Sequence, residues 1–123
     1  MTQAVQTGAF TKQTAGQLLL NDVVAITASG AIDPHTPASY AITKAGVAAM
    51  TLAAPTSGTD DGVTIEIFST TAFAHTVTAT GLFQNGSGSV NLETAAANAG
   101  AYLSIQAYQG KWQVIAAINW TLS

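Results

Sequence analysis

Short runs of alternating apolar and polar residues, each closed by turn formers, fill the chain from Val23 to its end. A period of two puts successive side chains on opposite faces of a strand, so the pattern predicts an all-β domain. Val23-Val24-Ala25-Ile26-Thr27 is the first expected strand, ended by Ser29-Gly30. Asp33-Pro34-His35-Thr36-Pro37 reads as a loop, because each proline fixes its own φ and pushes its predecessor out of the α region. Residues 40–44 and 47–53 follow as strands, separated by Ala45-Gly46 and closed by Pro55-Thr56-Ser57-Gly58. Asp60-Asp61-Gly62 is a strong turn signal, and Val63, Ile65 and Ile67 then share one face of a strand. Residues 76–80 alternate as well and end at Gly81, while 81–89, with Asn85-Gly86-Ser87-Gly88-Ser89, read as a loop tip or hairpin end.

The last third is the clearest. Between Ala101 and Tyr108 the odd positions are Ala, Leu, Ile and Ala and the even ones Tyr, Ser, Gln and Tyr. Gln109-Gly110-Lys111 forms a short turn, and the even positions Trp112, Val114, Ala116, Ile118, Trp120 and Leu122 then line one face of a long strand. These two runs are expected to pair as a hairpin, with both tryptophans in the core. Thr94-Ala95-Ala96-Ala97-Asn98-Ala99-Gly100 admits one helical turn at most, since seven residues without amphipathy are marginal as a helix. Residues 1–22 are small and polar without periodicity, and are expected to form an irregular N-terminal arm to a β-domain spanning 23–123. Seven to nine strands could close as a barrel or stack as two sheets. One internal echo stands out: Ala25-Ile26-Thr27 and Ala41-Ile42-Thr43 are each followed by glycine, at Gly30 and Gly46. A stacked solenoid needs at least about three such copies.

Composition narrows the function more than the fold. The chain has 123 residues, 24 of them Ala and 18 Thr, so its 48 % hydrophobic content makes a thin core. The length fits one domain, and association with other subunits is expected to supply part of the stability. Three lysines, no arginine and a net charge of −3 leave no electrostatic footprint for nucleic acid or an anionic membrane. No apolar run approaches a membrane span, and Leu18-Leu19-Leu20 is broken at once by Asn21-Asp22. Residues 1–10 carry no basic n-region, so a cleavable secretory signal is not expected. The absence of cysteine removes disulfides and thiolate chemistry and favours the cell interior or a virus particle.

Candidate chemistry is sparse. His35 lies beside Asp33 in the proline loop, and His75 precedes the strand at Thr76. A hydrolytic triad needs a nucleophile, base and acid converging in space, but no G-x-S-x-G elbow is present. His75 is better explained as a strand-end residue hydrogen-bonded to backbone. Asp60-Asp61 lacks the ligand spacing of a calcium loop, and Glu66 and Glu93 are isolated. Asn85-Gly86-Ser87 and Asn119-Trp120-Thr121 match the glycosylation pattern incidentally, and Gly86-x-Gly88 is too short for a phosphate loop. No enzymatic activity, cofactor or metal is expected. Tyr102 and Tyr108 stand on the non-core face of their strand, where tyrosine suits a subunit interface or a sugar platform.

The stretch from Tyr40 to Gly62, Y-A-I-T-K-A-G-V-A-A-M-T-L-A-A-P-T-S-G-T-D-D-G, resembles small structural proteins of tailed bacteriophages: capsid decoration, cement or head-fibre proteins. Ile65-Glu66-Ile67, Ala74-His75-Thr76-Val77-Thr78 and the Gly110-Lys111-Trp112 hairpin continue the likeness over roughly residues 39–122. The resemblance implies a jelly-roll-like β-barrel or β-sandwich. It implies a homo-oligomer, often a trimer, made in the host cytoplasm and seated on the outer capsid surface of the virion. There it clamps neighbouring subunits of the major capsid protein. Candidate interface residues are Phe10, Leu18, Leu19, Leu20, Tyr40, Tyr102 and Tyr108. The alternative is a tail-fibre or receptor-binding module that holds glycans through exposed tyrosines.

Overall fold

Ten strands and no helix make up the described residues, 23–86 and 89–123, of the computed structural model. In chain order they are β1 (Val23–Ile26), β2 (Gly30–Ile32), β3 (Ala38–Ile42), β4 (Ala49–Leu52), β5 (Thr64–Ser69), β6 (Thr76–Gln84), β7 (Ser89–Ala95), β8 (Tyr102–Tyr108), β9 (Lys111–Ile118) and β10 (Trp120–Leu122). The fold is all-β, as the alternation predicts, and its sheet curls into a half-barrel.

The first six strands are laid down as three stacked rungs. β1, β3 and β5 run parallel to one another on one wall, and β2, β4 and β6 run parallel on the other. Ala25 pairs with Ala41 and Ile26 with Ile42, so the repeated Ala-Ile-Thr segments lie side by side in register. The echo in the sequence is therefore the imprint of two neighbouring rungs. Side chains at paired positions of parallel strands share a face, which stacks Ile26 on Ile42 and Tyr40 on Ile67 toward the interior.

β8 and β9 join the two walls. β8 pairs antiparallel with β5, β9 pairs antiparallel with β8, and β9 meets β6 through Phe83 opposite Trp112. The strand order is thus β1-β3-β5-β8-β9-β6-β4-β2, with β7 and β10 branching from β6, and among the described residues β1 and β2 have no partner on their outer side. β6 can serve both β4 and β9 because its register shifts between Thr78 and Phe83. Gly81 lies within that shift at φ 71°, its N–H bonded to Asn91 Oδ1 (2.6 Å) and its carbonyl to Lys111 Nζ (2.9 Å). The strand expected to end at Gly81 therefore bends there and continues to Gln84.

Three further expectations are corrected. The loop expected over 81–89 is cut short at both ends, since β6 runs on to Gln84 and β7 begins at Ser89. β7 follows it, and the short alternation Val90-Asn91-Leu92-Glu93 misleads there, because Glu93 is buried while Leu92 is only half-buried. The helical turn allowed at 94–100 does not form: Thr94 and Ala95 belong to β7 and pair with β6 and β10. The long apolar face expected from Trp112 to Leu122 is broken twice. Ile105 pairs with Val114 but Ser104 with Ala116, so Ile115 is a bulge, and every side chain beyond it switches face. Asn119, at φ 59°, restores the phase for Trp120. As a result Trp112 and Trp120 are buried as expected, whereas Ile118 is 57 % exposed.

The core lies between the walls and is built from Ile42, Ile65, Ile67, Val77, Phe83, Leu103, Ile105 and Trp112, all fully buried. The β8–β9 hairpin closes through Gln109 (φ 51°) and Gly110 (φ 78°), the two left-handed positions of a type I′ turn.

Candidate functional site

The outer face of β3, β5, β8 and β9 carries the aromatic and polar side chains that sequence alternation placed away from the core. Cross-strand pairing sets Ser39, Glu66, Ser104 and Ala116 in one row and Ala41, Phe68, Tyr102 and Ile118 in the next. At the junction of the rows the Glu66 carboxylate accepts the Ser39 hydroxyl at 3.1 Å and the Tyr102 hydroxyl at 3.0 Å. Burial, with the Glu66 carboxylate beside it, pushes the Tyr102 phenol above its ordinary range. The result is one hydrogen-bonded spot spanning three strands, beside a shallow cleft of about 210 Å³ lined by Pro37, Ala38, Ser39, Thr64 and Glu66.

The three tyrosines singled out from sequence do not converge. Tyr102 is on this outer face. Tyr108 lies on the same face and is 58 % exposed, but six positions along the strand is about 20 Å away. Tyr40 points to the interior side and borders a different cleft, between β1 and β2. Burial raises its phenol as well. Phe10, Leu18, Leu19 and Leu20 lie outside the described residues. Sequence reasoning missed Ile115 and Ile118, which are 60 % and 57 % exposed on β9. Both are exposed because of the bulge, and a bulge leaves no mark on a pattern whose even positions stay apolar.

Each carboxylate and histidine singled out from sequence has a structural partner among the described residues, with one exception. His35 Nδ1 meets Asp60 Oδ2 at 2.6 Å, tying the β2–β3 loop to the β4–β5 loop. Asp60 Oδ2 also accepts the Thr56 N–H at 2.6 Å. That backbone bond first, and His35 second, hold the Asp60 carboxyl below its usual value, while Asp60 raises His35. No hydroxyl among the described residues hydrogen-bonds the His35 ring, whose partner is Asp60. Asp33 accepts the His35 N–H (2.9 Å) and the Thr36 hydroxyl (3.0 Å), closing the loop on itself.

His75 is fully buried. Its Nδ1 accepts the Ala48 N–H at 3.0 Å, which places the ring proton on Nε2, within reach of the Thr71 hydroxyl (3.1 Å) and carbonyl (3.3 Å). Burial lowers its pKa, and the ring works as a neutral bracket between rungs, as its place before a strand suggested. Asp60-Asp61 forms the expected turn, with Val63 N–H bonded to the Asp60 carbonyl (3.0 Å).

The exception is Glu93. It is fully buried on the interior face of β7, opposite Val77 and Leu122, and neither carboxylate oxygen has a hydrogen-bond partner among the described residues. The indole N–H of Trp120, two pairs away along β10, also has no partner among the described residues. Burial pushes the Glu93 carboxyl up to about 7. No group of three His, Cys, Asp or Glu that could hold a metal ion occurs among the described residues. No family model matches the chain, and neither a curated protein nor a solved structure does.

Proposed function

We propose that this chain is a structural protein of a tailed-phage virion, a decoration or cement subunit that seats its outer face on the head and bridges neighbouring major capsid subunits. The observation that carries the reading is Ile118, paired with Tyr102 and more than half exposed, together with the equally exposed Ile115 at the bulge three positions earlier. Exposed apolar surface among tyrosine, serine and glutamine side chains is the makeup of a protein contact: apolar and aromatic in the middle, polar at the rim. The resemblance of residues 40–62 to decoration proteins supports the same reading. So does the low charge, which leaves self-repulsion weak when many copies crowd on one shell. Physically, each subunit lowers the free energy of the shell by burying surface across a joint between capsomers.

The test is co-sedimentation of the full chain with a panel of undecorated tailed-phage heads. Saturable binding to one of them, weakened at least tenfold by Ile118→Asp, is the expected result. If no head in the panel binds while a glycan array does, the tail-fibre reading replaces this one.

A further inference from the structure

The first rung of the stack ends in open backbone. Among the described residues β1 pairs with β3 alone, and β2 with β4 alone. The Ile26 carbonyl accepts the Thr43 N–H at 3.0 Å, so it is turned toward the β3 side. Backbone groups alternate in direction along a strand, which turns those of Val24 the same way and those of Val23 and Ala25 outward to the free edge. Edges of this kind are normally blunted by charge, proline or a bulge. Residues 23–32 contain no charged residue and no proline. A side chain added at Gly30 on β2 would meet nothing within 4 Å.

The interior also fades at this end. Val24 is stacked with Tyr40 and Ile67 but is 49 % exposed, and Val23 is 54 % exposed. Beside them opens a cleft of about 280 Å³, bordered by Val24, Ile26, Ile32, Tyr40 and Met50. Ile32 and Met50 are core residues, so the cleft is the core reaching the surface with no lid among the described residues.

We propose that β1 is a self-association edge, pairing antiparallel with β1 of a second copy of this chain across a twofold axis at Val24. The register follows from the outward groups. Val23 of each copy exchanges both backbone hydrogen bonds with Ala25 of the other, and the two Val24 residues form the close non-hydrogen-bonded pair between them. Directly opposed residues share a face, so each Val24 covers the open side of the other copy's cleft. A second copy fits because the edge is uncharged. Two copies meet without like-charge repulsion, while a charged partner finds no counter-charge on residues 23–32. The pairing is isologous and closes at two chains, unlike the threefold ring implied by the resemblance. It concerns self-association and stands independently of what the outer face binds.

The test is the solution mass of the full chain by light scattering coupled to size exclusion. Wild type is expected at about twice the 12.4 kDa of one chain. Ala25→Pro removes one outward N–H and no bond to β3, so it should give a folded single chain with an unchanged far-UV spectrum. Val24→Lys, which sets two like charges face to face at the axis, should do the same and serves if the proline variant fails to fold. A single-chain or three-chain mass for wild type overturns the proposal, as does a folded Ala25→Pro chain that keeps the two-chain mass. A single-chain mass with a slowly exchanging Ala25 amide would assign the edge to the chain's own residues 1–22, and overturns it equally.

Discussion

Asp61 grips Gln109 from 48 positions earlier in the chain. One carboxylate oxygen accepts the Gln109 backbone N–H at 2.8 Å and the other accepts its side-chain amide at 2.8 Å. Gln109 has φ 51°, a left-handed conformation that a residue with a Cβ adopts at some cost. The carboxylate offsets that cost and fixes the β8–β9 hairpin against the β4–β5 turn, where Asp61 also caps the Gly58 N–H (3.1 Å). Asp61→Ala should therefore destabilise the fold by about 1–2 kcal/mol in urea unfolding. Gln109→Gly, which keeps the backbone bond and relieves the conformation, should cost less. Equal losses for both would show that the side-chain amide, rather than the turn geometry, carries the contact.

Glu93 makes stability fall as pH rises. Its folded pKa of about 7 lies above the ordinary 4.5 because its buried carboxylate has no partner. The neutral form therefore favours folding. That contribution is fully present below pH 4.5 and is lost as pH rises through 7. The side chains paired with it across the sheet, Val77 and Leu122, are apolar, and burial is the cause of the shift. Glu93→Gln, which mimics the neutral acid, should match wild type near pH 4.5 and exceed it by about 3 kcal/mol above pH 7, taking about 1.4 kcal/mol per pKa unit. Melting curves across this range check it, and a pH-independent difference would sink the assignment.

How much of this was legible before the fold depends on the residue. β8 could be read directly, because Leu103, Ile105 and Ala107 alternate without interruption and all three are buried. β7 could not, because Glu93 occupies an interior position where the pattern calls for an apolar side chain. Local rules tend to fail where a site is strained or serves another purpose. The Ile115 bulge was hidden by coincidence, since the even positions remain apolar on both sides of it. Parallel stacking left a visible trace in the Ala-Ile-Thr echo, but two copies of three residues do not declare a rung. The outer-face position of Tyr102 followed from alternation, whereas its bond to Glu66 and the His35–Asp60 contact depend on which strands and loops meet. Periodicity carries no such information.

His35 and Asp60 give a second, opposite-signed pair of pH effects. His35 is raised above 6.5, chiefly by its hydrogen bond to Asp60. Its contribution is fully present below 6.5 and disappears as pH rises through the higher folded value. Asp60 is held below 3.8, chiefly by the Thr56 N–H, so its contribution is present above 3.8 and disappears as pH falls through the lower folded value. The contact is strongest between these limits. His35→Ala should lower the melting temperature most near pH 5.5 and little at pH 9. Measuring it in the Glu93→Gln background removes the overlapping Glu93 titration. A deficit that is constant with pH would mean the loops are held by shape alone.

The two faces of the last strand pair make the sharpest comparison. Ile118 and Trp120 are two positions apart and both lie where the sequence alternation is apolar, yet one is 57 % exposed and the other is buried. The left-handed Asn119 between them accounts for the difference. If that geometry is right, Ile118→Asp should change unfolding free energy by no more than about 0.5 kcal/mol, the range of an ordinary surface substitution. Trp120→Ala should cost about 3–5 kcal/mol through the cavity it leaves against the core. Asn119→Gly, which adopts the same φ freely, should keep both values, whereas Asn119→Val should resist the left-handed turn and move the cost onto β10. An Ile118→Asp variant as unstable as Trp120→Ala would place both side chains inside and remove the exposed apolar face on which the proposed shell contact rests.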